Sequence, residues 1–221
     1  MQQTLCGIAA AMTQKFTILL AGELTVTDRL RNQIGSSRII AADGGMTHAD
    51  ALGVVPELWL GDFDSSDEAL VARYSHVARQ PHPVAKNATD GELAVDEAIR
   101  LGATELLLAG GFGGQADHAF AHLMLLLRLK AQGIKVMLSS GHEEAWPLLD
   151  DSVEIDVPPA SRLSILPVSD LERITIEGVR WPLTDRDVVL GSTLTLSNEV
   201  ETSPARVSVA VGKAIVLAYP I

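Results

Sequence analysis

The chain has very little cysteine and fewer basic than acidic residues, and each shortage excludes some classes of protein. Its 221 residues include one cysteine, Cys6, which cannot form an internal disulfide, so nothing indicates an oxidising compartment and a reducing cytoplasm is expected. Lysine and arginine total 17 against 28 aspartates and glutamates, a formal net charge of -11. Neither a nucleic-acid backbone nor an anionic membrane is therefore expected as a partner. A small phosphate substrate stays compatible with this charge if a divalent metal mediates its binding.

Long apolar runs and targeting signals are missing as well. The early stretch "LCGIAAAM" has no basic residue before it, and the next apolar run, "FTILLAG", has the length of a buried strand. We therefore predict neither a signal peptide nor a membrane span. Since "MTQKFTILLAG" reads as a natural opening into a first strand, Met12 is a candidate start, and residues 1–11 are expected to be a poorly ordered extension.

The first part of the chain alternates short apolar runs with helical patterns. Runs bounded by Gly and Asp predict strands at 16–22, 38–43, 58–62, 105–110 and 135–140. Buried strands separated by helices are typical of a parallel sheet covered on both faces. The sequence thus predicts an α/β, Rossmann-like domain over residues 12–141.

Two helices are well signalled within this part. Thr89 and Glu92 have capping-box spacing ahead of an apolar face, and Gly102 is placed to end that helix. The segment 117–133 is apolar almost all round, with Arg128 and Lys130 near its carboxyl end, where the helix dipole favours cations. We predict that this second helix is central and buried.

The pattern changes after about residue 141. Alternating segments separated by Pro, Gly and Asp turns follow, at 152–157, 162–168, 173–179, 192–198, 206–211 and 214–219. The sequence therefore predicts a smaller all-β domain of sandwich type over residues 146–221.

Acidic residues fall at the predicted strand ends and helix starts, where parallel α/β sheets bind ligands. These junctions carry Asp43, Asp62, Asp90 and Asp117. In "GDFDS", alternate residues of an extended segment point the same way, so Asp62 and Asp64 can face one hard cation such as Mg²⁺. The alternative is an acidic turn with Ser65 and Ser66. Asp90 and Asp117 likewise have an ordinary interpretation as acids in the first turn of a helix.

A glycine-rich stretch, "GGFGGQADH", lies between a predicted strand and the second helix. Small residues there let backbone N–H groups approach phosphate oxygens near the positive end of a helix. The stretch is neither a dinucleotide fingerprint nor a Walker loop, and the alternative is a simple connection. His118 and His122, four residues apart, could bind a metal, but no further Cys or His cluster completes a zinc site, so core or interface histidines are predicted.

Five segments in this order, "AADGG", "GDFDS", "TDGELAVDEAI", "GGFGGQADH" and "TLSNE", resemble the thiamine pyrophosphokinase family. The resemblance covers the chain from about residue 16 to its end. It implies an α/β domain, a β-sandwich domain and a homodimer with active sites between the subunits. It also implies the Mg²⁺-dependent transfer of pyrophosphate from ATP to the hydroxyl of thiamine, giving AMP.

The resemblance also implies roles for individual residues. It places Asp62, Asp64, Asp90 and Asp117 at the metal and at the reacting phosphates. Nucleotide contacts are implied for Asp43, Gly44, Asn87, Thr89, Gly111, Gly113, Gly114 and Gln115. From the β domain, Trp181, Ser197 and Asn198 are implied to contact thiamine.

Two positions depart from the family's pattern. Asn87 stands where the family usually has Asp, and Gln115 where it usually has Arg. An amide offers an oxygen ligand without charge, and glutamine cannot make a bidentate cationic contact with a phosphate. The residues thus leave two alternatives open: a weakly active or non-catalytic binding protein for thiamine or nucleotide, and another metal-dependent transferase of nucleotide diphosphates.

Overall fold

The computed structural model describes residues 13–63, 68–82 and 88–221. The predictions for residues 1–11, for Asp64 and for Asn87 lie outside these residues. Within them, no helix is long and apolar enough to cross a membrane.

The α/β part begins with β1 (Lys15–Leu19) and ends with β6 (Lys135–Ser139). Between them lie α1 (Asp28–Ile34), β2 (Arg38–Ala42), a 3₁₀ helix (Asp43–Thr47), α2 (His48–Leu52), β3 (Leu58–Gly61), α3 (Glu68–Arg73), β4 (Ala78–Pro81), α4 (Asp90–Arg100), β5 (Glu105–Ala109) and α5 (Ala116–Ala131). The five predicted strands of this part are present, each ending one to three residues earlier than predicted. The strand β4 is an addition to the prediction.

The remaining strands are antiparallel to their neighbours. They are β7 (Glu144–Leu149), β8 (Ser152–Ile155), β9 (Arg162–Pro167), β10 (Leu171–Glu177), β11 (Leu183–Val188), β12 (Asn198–Glu199), β13 (Ala205–Ser208) and β14 (Lys213–Tyr219). The strands β7 and β11 were not predicted. The prediction of a strand over 192–198 was wrong except at Asn198, because Ser197 has a φ of 56° and interrupts the extended backbone.

One large sheet organises the molecule. Its ten strands lie in the order β12-β9-β14-β7-β6-β5-β1-β2-β3-β4, and the six from β6 to β4 are parallel. The chain moves outward from β1 to β4, then returns to the other side of β1 as β5 and β6. The order therefore reverses between β1 and β5, and in doubly wound sheets such a point opens a ligand crevice at the carboxyl ends of the strands.

Alternate residues of the parallel strands bury opposite faces of the sheet. On β1, Phe16 and Ile18 pack with residues of α4 and α5, and Leu19 packs with residues of α1 and α2. Near-continuous apolar strands are needed because both faces are covered. The predicted fold class is confirmed: a parallel α/β part covered on both faces, followed by a β sandwich.

The sandwich shares its first layer with the α/β part. A second sheet, ordered β11-β10-β13-β8, packs on the segment of the large sheet formed by β7, β9 and β14. Because β7 is hydrogen-bonded to both β6 and β14, the large sheet runs through both predicted domains. The boundaries at residues 141 and 146 stay predictions.

The prediction that the helix over 117–133 is buried was wrong. Along α5, the buried residues are Leu126, Leu127 and Leu129, and Phe120 is 62% exposed. The helix covers the sheet with one face only, so an apolar pattern on all sides did not mean burial on all sides.

Candidate active site

Two of the predicted acids follow neighbouring strands at one edge of the sheet. Asp43 follows β2 and Asp62 follows β3, which pair in parallel. Both residues are half-buried. At Gly61 the two strand ends lie so close together that a Cβ on this glycine would stand 3.0 Å from Asp43 Oδ1. The small residue before Asp62 thus lets the two strand ends approach each other.

The backbone of Asp43 is held in an uncommon conformation. Its φ is 43°, in the left-handed region that residues other than glycine rarely adopt. The indole Nε1 of the fully buried Trp59 donates a hydrogen bond of 2.9 Å to the Asp43 carbonyl oxygen. Backbone strain kept in place by surrounding contacts is concentrated at functional sites. Trp59 is therefore a supporting residue that the sequence analysis missed.

The glycine-rich stretch follows β5 and contains two consecutive residues in the left-handed conformation. Gly113 has a φ of 70° and Gly114 a φ of 67°. A Cβ on Gly113 would meet the side chain of Glu23, and the space at Gly114 is open. The backbone N–H of Glu23 donates to the carbonyl of Phe112 at 2.8 Å, which ties the segment to the end of β1. Consecutive left-handed residues on a fixed base are suited to presenting backbone N–H groups to an anion.

The start of α4 lies beside this glycine-rich stretch. Thr89 caps the helix by accepting a hydrogen bond of 3.2 Å from the N–H of Glu92, as the capping pattern predicts. The predicted reciprocal bond is replaced by another contact, since the Glu92 carboxylate pairs with Arg128 on α5. Asp90, half-buried, is the first residue of the helix. The ion pair between Glu92 and Arg128 joins α4 to α5 beside the site.

A pocket of about 500 Å³ lies between the start of α4 and the side of α5 that runs from Asp117 to Arg128. Thr89, Asp117, His118 and His122 are among the residues that line it. Asp117 is exposed, and its Oδ1 accepts a hydrogen bond of 2.9 Å from the N–H of His118. Gln115, also exposed, is the residue that precedes α5. Of the two acids predicted at helix starts, Asp117 lines this pocket, together with Glu92 from the first turn of α4.

A larger pocket of about 1190 Å³ lies elsewhere. Its lining includes Glu105 and Lys135, the first residues of β5 and β6, and therefore belongs to the amino-terminal edge of the parallel strands. Parallel α/β sheets bind their ligands at the opposite edge. The smaller pocket, next to the glycine-rich stretch, is the better candidate in spite of its size.

The donor groups at this edge fit a hard divalent cation. Carboxylate oxygens are the ligands that Mg²⁺ prefers, and it usually takes one or two of them together with waters and substrate phosphates. In the described ranges, no three Asp, Glu, His or Cys side chains form a metal cluster.

The residues predicted for the β half form a separate group. The N–H of Trp181 donates to Asn198 Oδ1 at 3.1 Å, and Asn198 Nδ2 donates to the Trp181 carbonyl at 2.7 Å. Asn198 is buried, whereas the Trp181 side chain is 56% exposed. Ser197 is exposed, and its N–H donates to Ser164 Oγ at 3.0 Å. Asn198 thus holds the backbone that presents the indole of Trp181 to solvent.

This second group does not reach the acidic edge within one chain. Seven strands lie between β12, which contains Asn198, and β3, which precedes Asp62. At about 4.8 Å between neighbouring strands, the two groups are about 38 Å apart along the sheet. The structure therefore places the glycine-rich stretch and four of the predicted acids at one edge of the sheet, apart from Trp181, Ser197 and Asn198; these acids are Asp43, Asp62, Asp90 and Asp117.

Two histidines also contact this edge, one from each face of the sheet. His48 Nε2 lies 3.0 Å from the carbonyl oxygen of Gly22, after β1. His122 Nδ1 lies 3.0 Å from the carbonyl oxygen of Gly111, after β5. The prediction of a core or interface histidine missed this contact at His122, and sequence spacing alone gave no signal for it.

Taken together, the fold defines a doubly wound α/β protein with an antiparallel β extension and a glycine-rich, acidic edge. Residues 32–138 match the family described as "Thiamin pyrophosphokinase, catalytic domain", and residues 152–216 match "Thiamin pyrophosphokinase, vitamin B1 binding domain". A thiamine pyrophosphokinase of Bacillus subtilis is 32% identical over 179 residues, which are 79% of this chain and 83% of that protein.

Solved structures agree with these matches. The crystal structure of thiamine pyrophosphokinase from Bacillus subtilis superposes with a TM-score of 0.83 at 25% identity, covering 94% of this chain and 99% of that one. The enzyme from Geobacillus thermodenitrificans gives 0.79 at 26% identity, covering 94% and 98%. The chain belongs to the thiamine pyrophosphokinase family. The resemblance read from five sequence segments is thereby confirmed.

Proposed function

We propose that this protein transfers pyrophosphate from ATP to thiamine in a Mg²⁺-dependent reaction. The hydroxyl oxygen of thiamine forms a bond to the β-phosphorus of ATP, and the bond from that phosphorus to the oxygen of the α-phosphate breaks. The products are thiamine diphosphate, AMP and the proton of the hydroxyl group. The family match and the glycine-rich acidic edge support this proposal.

The charge of the site supports the requirement for Mg²⁺. Asp43, Asp62, Asp90 and Asp117 all lie at strand ends or helix starts of one edge, in a chain with a net charge of -11. These carboxylates would repel a triphosphate in the absence of a cation. Bound Mg²⁺ would neutralise the phosphate charge that develops during transfer.

The chain's own groups would position the reactants. Asp62, Asp64, Asp90 and Asp117 would hold the metal. Backbone N–H groups of the stretch that contains Gly111, Gly113 and Gly114 would bind phosphate oxygens, with Gln115 as a neutral hydrogen-bond donor. Phosphoryl-type transfer depends chiefly on positioning and charge stabilisation, so a rigid backbone at this stretch contributes directly to the rate.

The separation of the two residue groups supports a homodimer. If Trp181, Ser197 and Asn198 bind thiamine and the acidic edge binds ATP, about 38 Å within one chain prevents a direct reaction. A second copy could place its Trp181 at the edge of the first. Apolar side chains near Trp181 are exposed in the single chain, among them Leu194 at 55% and Leu196 at 37%. A symmetric pair would contain two such composite sites.

The test is an assay of purified protein with ATP, thiamine and MgCl₂, in which AMP and thiamine diphosphate are quantified. We expect both products in equal amounts and loss of both when EDTA is added. Thiamine binding without product would instead favour a non-catalytic binding protein, the alternative suggested by Asn87 and Gln115. Product formation from a different acceptor only would favour another nucleotide-diphosphate transferase.

A further inference from the structure

His122 connects the two elements that would surround the nucleotide phosphates. It lies in α5 with its side chain half-buried. A carbonyl oxygen only accepts hydrogen bonds, so the 3.0 Å contact with Gly111 requires the proton on Nδ1. Nε2 of the same ring is then an acceptor. It lies 3.7 Å from the position that a Cβ on Gly91 would occupy, in the first turn of α4.

The packing around His122 leaves the glycine-rich stretch little freedom at its first turn. A Cβ on Gly111 would stand 2.3 Å from a methyl of Leu138 and 3.3 Å from His122 Nδ1. A Cβ on Gly91 would stand 2.8 Å from a methyl of Leu20. A side chain at either glycine would thus meet both an apolar side chain and the His122 ring.

The protonation state of His122 agrees with this arrangement. Burial lowers the pKa of the imidazole below its ordinary value; the hydrogen bond to Gly111 opposes this effect in part, and the neighbouring His118 is a smaller cause in the lowering direction. The ring is therefore neutral near pH 7, with one donor and one acceptor. A neutral ring that donates its Nδ1–H to the Gly111 carbonyl oxygen fixes the orientation of the peptide group to which that oxygen belongs.

We propose that His122 is a positioning residue for the nucleotide phosphates, because it fixes the backbone at Gly111 and thereby sets the direction of the N–H groups that follow. The proposal rests on the proposed binding of ATP at this edge. It assigns to His122 an effect on the nucleotide and none on thiamine.

The test compares three substitutions at this position. His122→Asn keeps an N–H donor close to the place of Nδ1, His122→Gln moves the donor further out, and His122→Leu removes it. We expect His122→Leu and His122→Gln to raise KM for ATP roughly tenfold, the effect of losing one buried hydrogen bond, with KM for thiamine unchanged. His122→Asn should stay within about threefold of wild type. His142→Leu, in the exposed turn before β7, is the matched control.

A purely structural role gives a different result. Partial unfolding lowers the amount of active protein, so kcat would fall while both KM values stay constant. That result, or an equal rise in KM for ATP in His122→Asn and His122→Leu, would overturn the proposal. If His122→Leu does not fold, the comparison of His122→Asn with His122→Gln decides.

Calorimetric titration with MgATP separates this proposal from the proposed function. Wild type that binds MgATP without turnover would refute the transfer reaction, while the Kd series of the same variants would still decide the role of His122. Wild type that binds no MgATP would overturn both.

Discussion

The composite site can be tested by combining two inactive variants. Asp62→Asn removes a charge at the acidic edge, and Trp181→Ala removes the indole at the far end of the sheet. Each should abolish or strongly reduce turnover as a pure protein. In the proposed dimer, the acidic edge of one chain meets Trp181 of its partner. A hybrid would therefore have one site with both substitutions and one site with neither.

The expected recovery follows from counting sites. Random association of equal amounts gives half hybrid dimers, each with one intact site of two, so the mixture should regain about a quarter of wild-type activity. A hybrid isolated by two different affinity tags should regain about half. Co-expression of the two tagged variants and the AMP assay supply the measurement. Isolated hybrids without activity would refute the argument, since a site formed within one chain leaves no intact site in the hybrid.

Three further predictions concern single residues. Gln115→Arg should raise turnover in the AMP assay, because a guanidinium at the exposed position before α5 would add a bidentate cationic contact to a phosphate; no gain would indicate that another cation already serves. Glu144→Ala should lower the free energy of unfolding by about 3 kcal/mol in urea titration, because the fully buried carboxylate accepts hydrogen bonds from Arg29 and Gln33. A loss below about 1 kcal/mol would contradict this. Burial lowers the folded-state pKa of His122, so the folded protein resists protonation at this residue. The contribution of neutral His122 to the free energy of unfolding is therefore complete above about pH 6.5 and decreases as the pH falls below that value. Between about pH 7.5 and about pH 5, His122→Asn should therefore lose less stability than wild type, and an equal or larger loss would contradict the sign.

Local patterns were sufficient where the chemistry is local. Thr89 was predicted as a helix cap from its spacing alone, and it caps α4. The runs that became β1, β2, β3, β5 and β6 were predicted because a strand buried on both faces needs consecutive apolar residues. The acids at the ends of these strands were predicted as a group because parallel strands direct their carboxyl ends to one edge of the sheet.

Interactions between distant segments could not be predicted in this way. The apolar residues of α5 predicted burial, but the degree of burial depends on how many elements pack around the helix, and Phe120 is exposed. Glu92 was predicted to complete a capping box, but Arg128, which lies 36 residues further along the chain, binds its carboxylate. The strands β7 and β11 were missed because their apolar and polar residues do not alternate clearly.

The sequence by itself determined the five strands β1, β2, β3, β5 and β6, the family, and the set of acids and glycines at the strand ends. These properties depend on neighbours within a few residues, or on motifs that keep their order along the chain. Only the tertiary structure decided that one sheet runs through both halves, that His122 reaches Gly111, and that seven strands separate β12, which contains Asn198, from β3, which precedes Asp62. Those facts depend on how strands pair across the whole chain, and a linear pattern of residues does not contain that information.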